Sequence, residues 1–85
     1  MAQSSLKFVI CIDNSNYPVS LEKRKIYESI LDLDAAKHGQ IRVVDESGED
    51  YLYPKSCFID ANLSEETQVA LAEAANSTAG VVNAS

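Results

Sequence analysis

The sequence predicts an all-β domain with a minor helical part, on three observations. Lys7 to Ile12 is dense in β-branched and aromatic residues. Ile41-Arg42-Val43-Val44 and Tyr51-Leu52-Tyr53 flank the turn pair Ser47-Gly48, a hairpin signal in which Gly is free to take positive φ. Pro54, which lacks an N–H for a ladder, stops the second of these strands, and Phe58-Ile59 follows as a short closing strand.

The first strand is apolar in both alternating sets, Phe8/Ile10/Ile12 and Val9/Cys11, so it is expected to be covered on both faces. Asp13-Asn14-Ser15-Asn16 is turn chemistry, because short polar side chains bond their own backbone. Residues 20–33 carry two patterns. Ile26, Tyr27, Ile30 and Leu31 recur at helical spacing, with Ser20 as a fair N-cap. The same residues also suit a strand buried on one face and half buried on the other. Asp34 to Gly39 reads as one helical turn, capped by Asp34 and left through Gly39. Lys37 and His38 then sit at its negative end, which gives His38 a structural explanation. Ser64, followed by Glu65 and Glu66, starts an Ala-rich helix. The expected organisation is a β-domain over 1–63, with 1–5 frayed, a helix over 64–75 and a disordered tail over 76–85.

The stretch from Tyr51 through Pro54 to Phe58 resembles the end of a Src-homology-3 domain, where an apolar residue and a Pro precede a single turn and a short last strand. Val19 to Leu31 is similar to that fold's diverging turn and second strand. The run Ile41 to Pro54 also resembles small bacterial proteins of this type. The likeness is one of layout over residues 19–60. It implies a five-stranded SH3-like barrel with a short C-terminal helix, and a strand at 25–31. It does not carry over the Pro-rich-peptide groove: the chain has no Trp, and the groove Tyr falls at Cys57.

Two hairpin registers stay open. The simple one sets Val44 opposite Tyr51, Val43 opposite Leu52 and Arg42 opposite Tyr53, with Leu52 inside. The family layout turns Tyr53 inward and leaves Leu52 near the surface. A bulge at Gly48 switches one to the other.

The chain has 85 residues, enough for one domain, and a net charge of -6. That charge disfavours nucleic acid, whose non-specific binding rests on Lys and Arg neutralising phosphates. The basic cluster Lys23-Arg24-Lys25 is bracketed by Glu22 and Glu28. The apolar run after Lys7 is too short for a signal core or a membrane span. A cytoplasmic location without membrane partners is expected, with Cys11 and Cys57 reduced.

Catalysis finds little support. The chain has one His, no thiol–imidazole spacing and no Gly-rich phosphate loop. Cys11, His38 and Cys57 lack the close ligand pairs of a zinc site. No enzyme activity, cofactor or metal is therefore expected. The expected function is a protein-interaction or accessory module, with a nucleic-acid-associated regulator as the alternative. Tyr17, Arg42, Tyr51 and Leu52 are the candidate contact residues, since Tyr joins apolar area to a polar end and Arg42 can stack beside it. Tyr27 and Tyr53 are expected to fill the core. The acidic tip Asp45, Glu46, Glu49 and Asp50 is the second candidate. In the simple register Glu46 faces Glu49 and Asp45 faces Asp50, like-charge pairs that cost stability. The glycine spacing does not fit a calcium loop.

Overall fold

The computed structural model describes residues 7–84, with side chains through Ala74; the segment 1–5 read as frayed lies outside them. The strands are β1 (Lys7–Cys11), β2 (Ile26–Ile30), β3 (Gln40–Val44), β4 (Asp50–Pro54) and β5 (Phe58–Asp60). A short helix α1 (Leu33–Lys37) precedes β3, a 3-10 turn (Lys55–Cys57) joins β4 to β5, and α2 (Glu65–Ala84) ends the chain. The β-rich class is as the sequence predicts. The α2 backbone runs beyond the 64–75 suggested by composition, through a segment that no proline interrupts.

The strands form one antiparallel sheet in the order β4-β3-β2-β1-β5. The sheet is not closed into a barrel, which corrects the barrel expectation. All β5 pairs go to β1 and all β4 pairs go to β3, so no ladder joins the two ends. The core is instead closed from one side by the β1–β2 loop. Its Leu21 is wholly buried against Val9, Cys11, Tyr27, Val43, Tyr53, Cys57 and Phe58. Tyr17, from the same loop, packs edge-on to Tyr53 with ring centroids 4.9 Å apart.

Residues 26–30 are a strand despite their helical period. Strand alternation sends Tyr27 and Ser29 to the core face, where both are buried, and Ile26 and Ile30 to the other face, where both are exposed. Glu28 lies on that outer face opposite Phe8 of β1. Leu71 of α2 lines a cleft of about 330 Å³ with Phe8, Ile26 and Val44, so α2 borders the same face. The N-cap of α1 is Asp32 and not Asp34: the Asp32 carboxylate accepts the Ala35 N–H at 2.9 Å. Asp34 supplies its own carbonyl to the His38 ring, 2.9 Å from Nδ1.

The simple hairpin register is also corrected. Val44 faces Asp50, Val43 faces Tyr51, Arg42 faces Leu52 and Ile41 faces Tyr53. The cause is Gly48, at φ 86°. Its N–H donates to the Asp45 carbonyl at 2.9 Å, while the Asp45 N–H donates to the Glu49 carbonyl at 3.1 Å. A tight turn followed by a left-handed residue is a bulged hairpin, in which one extra residue moves the register by one place. Tyr53 therefore enters the core at 4% exposure, and Leu52 faces out at 40%.

Candidate functional site

The β3–β4 hairpin carries most of the sequence-predicted site residues, and the structure divides them into a tied tip and an open edge. At the tip, Asp45 continues the core-facing alternation of Val43 and is buried. Its carboxylate accepts the Tyr53 hydroxyl at 2.5 Å, the Ser47 hydroxyl at 2.5 Å and the Ser47 N–H at 2.9 Å. Burial pushes the Asp45 carboxyl up, but the bonds from Ser47 and Tyr53 outweigh it and hold its pKa below the ordinary value. Burial and the Asp45 charge together push the Tyr53 hydroxyl up to about 12.

Glu46 is tied to a different strand. Its carboxylate accepts the Tyr27 hydroxyl at 2.5 Å and lies 2.7 Å from the Lys25 ammonium. Lys25 and Tyr27 hold the Glu46 carboxyl below its ordinary pKa. Burial first, then Glu46, raises that of Tyr27. The Tyr27 oxygen in turn accepts the Glu22 N–H at 2.7 Å, and the Glu46 N–H donates to the Ser20 carbonyl at 3.0 Å. The β1–β2 loop is thus stitched to the tip by its backbone as well as by Leu21. Lys25 of the basic cluster is part of this stitch.

The remaining tip carboxylates face solvent. Glu49 accepts the Tyr51 hydroxyl at 3.1 Å, and this bond raises the Tyr51 pKa. Asp50 accepts from Arg42 Nη1 at 3.0 Å. Among the described residues no group of three or more His, Cys, Asp or Glu side chains is placed to hold a metal ion. Cys11 and Cys57 are free thiols in the core, and burial pushes Cys57 up.

Among the described residues β4 is an edge strand. Tyr51, on the core-facing side, is 49% exposed, and Leu52, on the opposite side, is 40% exposed. Beside Leu52 on β3, Arg42 does not stack on a tyrosine. Its Nε donates to Asp32 at 2.8 Å and its Nη1 to Asp50, so the guanidinium lies fixed between two carboxylates. Both partners raise its pKa. Of the predicted contact residues, Arg42, Tyr51 and Leu52 come together at this edge, whereas Tyr17 is part of the core lid, half-buried against Tyr53. Sequence reasoning missed Asp32, which caps α1 and anchors Arg42 at once. Its readable signal was an acid directly before the helical run, three residues ahead of Ala35.

Searches against protein-family models, curated proteins and solved structures find no match. Among the described residues no helix is long and apolar enough to cross a membrane.

Proposed function

We propose that this protein is a non-enzymatic interaction module that binds another protein through the free edge of β4. The observation that carries the reading is the pairing of Tyr51 and Leu52, exposed on opposite faces of an edge strand beside an Arg42 held by two carboxylates. Apolar and aromatic area next to a fixed Arg is the composition that protein interfaces favour. Because Arg42 is held in place, less side-chain freedom is lost on contact. We also read the chain as an open variant of the Src-homology-3 layout. Supporting this are the inward Tyr53, Pro54, the single 3-10 turn and the short β5.

A tagged pull-down with mass spectrometry tests the module. Partners captured by the native chain are expected to be lost from a Tyr51→Ser/Leu52→Ser variant. They should be retained by Leu33→Ser, which removes an exposed leucine on α1. An unchanged partner set from the edge variant, with its fold verified by thermal melting, would remove the edge as the contact surface.

A further inference from the structure

We propose that the free edge of β4 pairs antiparallel with β4 of a second copy of this chain, about a two-fold axis at Leu52. This inference rests on the reading of the edge as a contact surface and names its occupant.

The ladder decides which groups are available. Lys55 donates to the Gly39 carbonyl at 2.9 Å and Asp45 to the Glu49 carbonyl at 3.1 Å. Antiparallel pairs alternate along a ladder, so Tyr53 and Tyr51 direct their main-chain groups to Ile41 and Val43. Asp50, Leu52 and Pro54 direct theirs away from β3, to the open edge. An edge with unsatisfied main-chain groups is a template for another strand.

The charges decide which strand and which register. A two-fold axis at Leu52 sets Leu52 opposite Leu52, Tyr51 opposite Tyr53, Asp50 opposite Pro54 and Glu49 opposite Lys55. The acidic start of each β4 therefore meets the basic residue just beyond the end of the other. Slipping the register by two residues in either direction separates Glu49 from Lys55. Pro54 lacks an N–H, but its carbonyl accepts from the second copy's Asp50 N–H. The two Leu52 residues exchange the central ladder bonds. The chain carries -6 overall, yet at this edge Arg42 and Lys55 offset two of the three carboxylates Asp32, Glu49 and Asp50. Two copies therefore approach along this edge with less repulsion than their net charge imposes elsewhere.

The test uses the purified full chain in sedimentation equilibrium between about 10 μM and about 1 mM, which brackets weak interfaces. The native chain is expected to show a concentration-dependent dimer. Glu49→Lys and Lys55→Glu, each alone, replace attraction by repulsion at both symmetric contacts and should raise the dimer Kd by about ten-fold or more. Mixing the two variants restores opposite charges at both contacts, so a mixed dimer should form where each variant alone stays monomeric. A native chain that remains monomeric at the highest concentration overturns the proposal. So does dimerisation unaffected by either variant. Either result leaves the interaction-module reading to the pull-down, where Tyr51 and Leu52 are tested against other proteins.

Discussion

The tip and the edge of one hairpin use the same kinds of side chain to opposite ends. At the tip, a tyrosine hydroxyl meets a carboxylate twice, Tyr53 with Asp45 and Tyr27 with Glu46, and both tyrosines are buried. At the edge, Tyr51 meets Glu49 by the same bond in solvent. What differs is burial, and burial sets the consequence of losing a partner. A buried hydroxyl without its acceptor bears the full desolvation cost, whereas an exposed one turns to water. Asp45 and Glu46 are therefore structural ties, and the edge is left free to be covered by something else.

The largest expected effect breaks the tip. Asp45→Ala leaves the Tyr53 hydroxyl and the Ser47 N–H without their acceptor and should cost about 3 kcal/mol. Asp50→Ala, at the edge, leaves Arg42 its bond to Asp32 and should cost less than about 0.5 kcal/mol. Urea denaturation with unchanged m-values measures both. Equal costs would erase the distinction between the two regions.

The pH dependence sharpens the same contrast. The folded pKa of Tyr53 lies at about 12, above its ordinary 10.0. Its contribution is thus complete below pH 10 and is lost as pH rises through about 12. Asp45 and Glu46 are depressed. Their contribution is present above the ordinary carboxylate range and is lost as pH falls through the lower folded values. Tyr53→Phe should cost about 1–2 kcal/mol at neutral pH and flatten the alkaline arm, while the acid arm persists through Ser47 and Lys25. A stability profile of the variant parallel to that of the native chain from pH 9 to 12 would contradict the assignment.

The strands were legible in the sequence, and their closure was not. Both strands of the β3–β4 hairpin and the short β5 follow from local patterns: β-branched runs, a turn glycine and a proline stop. The strand at 26–30 was favoured over a helix only through the resemblance of layout over residues 19–60. The stripe Ile26, Tyr27, Ile30 and Leu31 satisfies a helix, and only the structure sends Tyr27 to one face and Ile26 to the other. Whether β4 and β5 pair is a long-range fact that no window of residues reports. The ties of the tip are long-range in the same way: Glu46 meets Tyr27 across 19 positions of chain. Residue type singled out Arg42, Tyr51 and Leu52, but that Leu52 faces out follows from the bulge at Gly48, and that β4 lies at the edge of the sheet follows from long-range pairing.

Between tip and edge stands Gly48, whose positive φ creates the bulge that sends Tyr53 inward and Leu52 outward. A Cβ there meets no atom within 4 Å, so the cost of Gly48→Ala is backbone strain alone, about 1 kcal/mol. Hydrogen exchange should place the loss in the tip, with the Asp45 amide protected less and the β1–β2 amides unchanged. Loss spread over β1 and β2 would mean that the glycine serves more than the turn.

The smallest expected effect on stability falls on the edge, and it is the most informative about function. Leu52→Thr keeps β-propensity and removes apolar area that is already 40% exposed, so unfolding should shift by less than about 0.5 kcal/mol. Val43, one position along β3 from Leu52's cross-strand neighbour Arg42, is wholly buried, and the same hydroxyl introduced by Val43→Thr should cost several times more. If Leu52→Thr is as harmful as Val43→Thr in dilute monomer, Leu52 is core, and the edge has no free face to offer. If it is silent in dilute protein but lowers the melting temperature measured at high concentration, the residue acts only where a second strand covers it. Mass action then makes the difference grow with concentration, a dependence that a purely intramolecular role for Leu52 does not produce.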